Sequence, residues 1–108
     1  MSRVLGNIAE EKACKYIQAL GFQIIDRNYT LRGGEIDIIA IKDEILHFIE
    51  VKSCTSYNPL YNITPTKLQH VINTAHRYMQ KKDLDLSFQI DAISVQNGTC
   101  ELIENITV

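Results

Sequence analysis

Apolar residues along the chain fall into two helical and several extended patterns. Val4, Leu5, Ile8, Ala9, Ala13, Tyr16, Ile17 and Leu20 recur at steps of three and four, which predicts an amphipathic helix over 4–20, ended by Gly21. Phe22, Ile24 and Ile25 open a short strand over 23–28, and Arg32-Gly33-Gly34 is a tight connection. Glu35 to Ile41 is strongly apolar apart from Asp37, and Lys42-Asp43-Glu44 is a turn of hairpin length. Ile45 to Lys52 is apolar on both faces until its end, which predicts a strand inside a sheet. Residues 53–65, with Pro59 and Pro65, read as a loop. A second helix begins at Thr66, with Leu68, Val71, Ile72, Ala75, Tyr78 and Met79 on one face. Leu86 to Val95 alternates, Asn97-Gly98 is a hairpin turn, and Glu101 to Ile106 returns as an edge strand. Three strands in succession predict an antiparallel meander, and the helix before Leu86 allows a parallel crossover. The expectation is one α/β domain over residues 1–108 with a mixed sheet of four to five strands.

Two of these strands carry acids where apolar residues are expected. Asp37 lies between Ile36 and Ile38, and Glu50 and Lys52 close a strand that is otherwise nearly all apolar. A carboxylate buried there is costly unless it is paired or holds a metal. Residues two apart on a strand share a face, so Glu50 and Lys52 point the same way. The short turn after Ile41 makes the Asp37 and Glu50 strands neighbours, so two acids and a lysine can converge. Phosphodiester hydrolysis suits such a set. Two acids and a main-chain carbonyl, that of Val51, offer hard oxygen ligands to Mg²⁺ or Mn²⁺. The metal polarises the scissile phosphate and acidifies a bound water, and the lysine orients that water or stabilises developing charge. The plainer alternative is a solvated Glu50–Lys52 pair, with Asp37 capping a turn.

Other polar residues stay open in the same way. Glu10 is either a face-edge glutamate of the first helix or a further ligand. Lys67, His70, Arg77 and Lys81 form a stripe that either steers phosphate or is a solvated helix face. His47, His70 and His76 lack the i, i+4 pairing that would mark a metal site on a helix. Asp91, with Ser87 and Gln89 at alternate positions, reads as the polar face of its strand.

Composition narrows the picture. Hydrophobic residues make up 45% and charged residues 22% of the 108, which excludes disorder and low complexity. Eleven basic against thirteen acidic residues give a net charge of −2, so polyanion binding requires a local patch or bound cations. No apolar run approaches a membrane span, and the first residues hold no apolar signal-peptide core. Cys14, Cys54 and Cys100 are scattered, without a Cys-x-x-Cys spacing, which predicts small semi-buried side chains in a reducing cytoplasm.

Asp37, followed after a turn by Glu50-Val51-Lys52, is similar to the split acid and acid-x-lysine signature of PD-(D/E)xK nucleases. More closely, the chain resembles the YraN-like family of small bacterial endonuclease-like proteins. The matching stretches are Gly6 to Ala13, Arg27-Asn28, Gly34 to Ile39 and Phe48 to Lys52, with weaker echoes at Lys67 and Asp91. The resemblance implies a restriction-endonuclease-like α-β-β-β-α-β core, metal binding by Asp37 and Glu50, and catalytic assistance by Lys52. Archaeal Holliday-junction resolvases share this core and use a first-helix glutamate, which implies Glu10, with Glu11 the alternative if the helix phase is off by one. This chain has Cys54 and Gln89 where the family tends to carry arginine.

The resulting expectation is a Mg²⁺- or Mn²⁺-dependent endonuclease acting on DNA, on branched or flapped structures, with Lys67 and Arg77 contributing to nucleic-acid binding. The acidic balance and the two missing arginines leave a second reading: a nucleic-acid-binding module on a nuclease fold. A homodimer through the Tyr57 to Ile63 loop or an edge strand is a third.

Overall fold

The first helical pattern forms α1 (Arg3–Ala19), and Gly21, with φ of 98°, turns the chain into the first strand. The computed structural model describes residues 3–54 and 63–107, so the expected loop over 53–65 and the Tyr57 to Ile63 docking segment fall largely outside the described residues. The strands are β1 (Gln23–Leu31), β2 (Gly34–Lys42) and β3 (Ile45–Cys54); helix α2 (Pro65–Lys81) follows, then β4 (Ser87–Gln96) and β5 (Thr99–Ile103). This is the expected α-β-β-β-α-β order with one further strand.

Sheet order follows chain order, β1-β2-β3-β4-β5. Every neighbouring pair is antiparallel except β3 and β4, which run parallel across the α2 crossover. Asp43 and Glu44 have φ of 52° and 65°, and Asn97 and Gly98 have φ of 52° and 79°. Positive φ at both central residues is the two-residue turn whose twist matches a hairpin, and it sets both registers. Pro65 opens α2, where a missing N–H costs nothing, and Thr64 caps it by accepting from the Lys67 N–H.

The helices cover opposite faces of the sheet. Ala9, Ala13, Cys14 and Ile17 of α1 pack on Phe22, Ile38, Ala40, Ile49, Ile93 and Val95. Val71, Ala75 and Tyr78 of α2 pack on Ile36, Ile39, Leu46, Phe48 and Ile90. β3 is the middle strand, buried on both faces, as its apolar run predicts.

One expectation fails. β4 was expected to expose Gln89 and Asp91 as a polar face. Instead, residues Ile90 to Val95 are all buried and Asp91 is 0% exposed. Parallel pairing to β3 draws β4 into the sheet interior, where α1 covers the face that alternation marks as polar.

Candidate active site

The site begins where β2 leaves β3. Their pairing runs from Lys42↔Ile45 to Ile38↔Ile49 and goes no further. Ile36 packs under α2, whereas Ile38 packs under α1, so the period-two alternation breaks at Asp37. In the gap so formed, Asp37 Oδ2 accepts the Val51 N–H of β3 at 2.8 Å. A side chain has taken the place of a ladder carbonyl, which fixes the carboxylate against β3.

Glu50 and Lys52 project from the α2 face of β3, as their spacing predicts. With Asp37 they line a cavity of about 250 Å³, completed by Gly34 and Glu35 from β2 and by Lys67, His70 and Val71 from α2. Gly34 lies so close to Thr74 and the His70 carbonyl that a Cβ there would displace the helix. That absent side chain lets α2 bring Lys67 and His70 over the acids.

The electrostatics follow from the packing. Glu50 is 5% exposed. Burial, and then the charge and carboxyl contact of Asp37, push its pKa up to about 9, against a smaller downward pull from Lys52 and Lys67. The pair therefore holds a proton at neutral pH when nothing cationic lies between the carboxyls. Burial also lowers the Lys52 pKa, and the adjacent Lys67 lowers it further, while Glu50 and Asp37 act in the opposite sense. A lysine so placed is closer to exchanging a proton near neutrality than a free one.

Glu10 sits on the α1 side of the site and is not a lining residue of this cavity. Burial and then Asp37 raise its pKa, and its Oε1 is buried without a hydrogen-bond partner. Arg27 Nη2 stands 3.8 Å from that oxygen, while Arg27 Nη1 bonds Glu11 at 3.1 Å. Glu11 is exposed and committed to Arg27, so the helix phase favours Glu10 over Glu11 as the acid near Asp37. Arg77 is exposed and does not line the cavity. Ten residues beyond Lys67, it lies about 15 Å further along the helix. Thus Asp37, Glu50, Lys52 and Lys67 come together, Glu10 approaches from the other face, and Arg77 stands apart.

Two lining residues carried weaker sequence signals. His70 lies three residues after Lys67, which puts both on one face of a helix, and that spacing was its signal. Glu35 carried only its place in the resembling stretch Gly34 to Ile39, because its position depends on how β2 departs from the sheet. Gln89, by contrast, bonds Asp91 and Glu104 on the α1 side of the sheet, away from the cavity.

Asp37 and Glu50 bring carboxylate oxygens, the hard donors that suit a divalent cation, into the cavity, and Glu10 lies beside them on the α1 side with one oxygen unpartnered. A cation there would offset the burial and the Asp37 charge that raise Glu50.

Comparison with known proteins gives the chain relatives but not an activity. The profile of an uncharacterised protein family, UPF0102, matches residues 9–95. A UPF0102 protein of Helicobacter pylori strain HPAG1 is 50% identical over 105 residues, covering 97% of this chain and 92% of that protein. One from a Sulfurovum species is 48% identical over 110 residues, covering 100% and 97%. One from Helicobacter hepaticus is 47% identical over 107 residues, covering 99% and 97%.

Proposed function

We propose, for a chain that belongs to the UPF0102 family, that the cavity between β2, β3 and α2 is the site of a Mg²⁺- or Mn²⁺-dependent endonuclease of the PD-(D/E)xK type, acting on DNA. The observation that carries this is the convergence of Asp37, Glu50 and Lys52 in one cavity, with Glu50 buried beside the half-buried Asp37, whose charge repels it. Asp37, Glu50 and the Val51 carbonyl would hold the cation, with Glu10 reaching it directly or through water. When bound, the cation supplies a polarised phosphate and an acidified water.

Each side chain then has a separate task. Asp37, anchored by the Val51 amide, keeps its free oxygen in place. Glu50 gives up the shared proton and stays ionised. Lys52, its pKa lowered, orients the attacking water or meets the charge developing on the phosphate. Lys67 and His70, on the overhanging helix, face an incoming phosphate, and Arg77 extends the basic stripe for a longer strand.

The second reading, a binding module without turnover, draws on the acidic composition and on Gln89 and Cys54 replacing family arginines. Gln89 lies outside the cavity, so its exchange takes no charge from the proposed phosphate site.

Single strands, duplexes, flaps and four-way junctions presented with Mn²⁺ at low salt decide between the two. We expect metal-dependent cleavage that Lys52→Ala abolishes while Mn²⁺ still raises the melting temperature, because Lys52 is not a ligand. Asp37→Asn should lose both. Salt-sensitive binding with no metal-dependent product on any substrate would establish the module instead.

A further inference from the structure

On the other face of the sheet, beneath α1, a second set of ligating groups is held in place without being used by this chemistry. His47 of β3 and Asp91 of β4 are both buried, with His47 Nδ1 2.6 Å from Asp91 Oδ2. Asp91 Oδ1 accepts from Gln89 Nε2 and from the Asn105 N–H, each at 2.8 Å. Gln89 Nε2 also reaches Glu104 Oε1 at 3.2 Å. One ligand atom each from His47, Asp91 and Glu104 lies within 4.8 Å of the other two.

This is more than an accumulation of acids. The histidine is 4% exposed, and what remains open of it lines a cavity of about 310 Å³ that Glu104 also lines. Among the described residues, its Nε2 has no hydrogen-bond partner. The ring is fixed from a third side by the edge-on contact with Phe22 at 4.8 Å. In the metal-free chain the 2.6 Å contact is an Nδ1–H donating to Asp91 Oδ2, and a cation at Nδ1 takes that proton's place, the remaining N–H moving to Nε2.

We propose that His47, Asp91 and Glu104 form a second cation site, for a borderline divalent transition metal such as Zn²⁺. One imidazole nitrogen with two carboxylate oxygens suits Zn²⁺ better than Mg²⁺ or Ca²⁺, which favour all-oxygen sets. Water from the cavity would complete four-coordination. With metal bonds of about 2.0–2.1 Å, tetrahedral ligand atoms sit about 3.3 Å apart, so the His47–Asp91 contact has to open by about 0.7 Å. Asp91 is held by two donors, and the exposed Glu104 has only to turn from its 3.2 Å contact with Gln89 Nε2 to close on the ion. Lys42 and Asp43 also line the cavity and oppose each other in charge. Bound there, the ion joins β3, β4 and the segment after β5, adding to the Asn105 N–H to Asp91, Gln89 to Glu104 and Ile106 N–H to Ile90 carbonyl bonds that already tie that segment to β4.

The test uses the full chain carrying Glu50→Gln, which weakens the carboxylate cavity as a competing site, with Co²⁺ as a coloured probe and Zn²⁺ as its competitor. One Co²⁺ per chain should give visible ligand-field absorption that Zn²⁺ removes. Glu104→Gln, at an exposed position, should weaken Zn²⁺ binding about tenfold or more, and His47→Gln at least as much, with folding checked by circular dichroism. Absence of the Co²⁺ absorption, or Zn²⁺ affinity unchanged in Glu104→Gln, overturns the proposal. Should His47→Gln fail to fold, the Glu104 variant decides alone. Loss of nuclease activity has no bearing on this result, since the two sites lie on opposite faces.

Discussion

Glu50 carries the largest electrostatic strain among the described residues, and its consequences have a definite sign. Its folded pKa of about 9 lies above the ordinary 4.5 that the unfolded chain would show. The native state then binds the proton more tightly, so the stability this contributes is complete below pH 4.5 and is lost as pH rises through about 9. In chelator-treated protein, the urea midpoint should fall across that window. Glu50→Gln, which cannot ionise, should flatten the fall and be more stable than the native chain at pH 8. A native midpoint that stays level across the window would show that the carboxyl is ionised without cost. The sequence marked Asp37, Glu50 and Lys52 because each interrupts an apolar run. It presented Asp91 as part of the polar face of an alternating strand, because alternation tells which residues share a face and not which face a distant helix will cover.

Among the elements, α2 positions the basic groups, and its first turn is the part that matters. Thr64 caps that turn, and Lys67, whose amide it satisfies, overhangs the acids. Thr64→Ala should cost about 1 kcal/mol in denaturant midpoint measurements. Amide exchange at 66–67 should quicken, and Thr64→Ser should restore both. If exchange accelerates equally at Tyr78, near the other end, the cap acts on the whole helix and not on the end that carries Lys67. Sequence periodicity placed the start of this helix within a residue, at Thr66 against Pro65, and found both hairpin turns, because those features are local. It stopped β1 three residues short, at Asn28, since what extends that strand to Leu31 is its pairing with β2. Likewise, the break in alternation at Asp37 is set by where two strands part, which no short window of sequence contains.

At the scale of the whole molecule, charge is balanced and basicity is local. Lys52, Lys67 and Arg77 are the cations that the proposed site sets against phosphates, so log affinity against log salt on duplex DNA should have a slope of about −2 to −3. A much steeper slope would demand a broad basic face elsewhere. The net charge of −2 requires such basicity to be a local patch.

Strand order that follows chain order has a kinetic meaning. β1, β2 and β3 join through short turns, so they can assemble as a local unit, and only the β3–β4 pairing has to close a long stretch of chain through α2. Asp37, Glu50 and Lys52 all belong to the early unit. Their removal from water, however, waits for Val71 and Lys67 to arrive with α2. Repulsion between the acids is therefore felt in full only once α2 has packed over them. Stop-flow measurements with and without Mn²⁺ should accordingly show the ion slowing unfolding while leaving the folding rate nearly unchanged. An ion that instead hastened folding would mean that the carboxyls are already desolvated when the β3–β4 closure takes place.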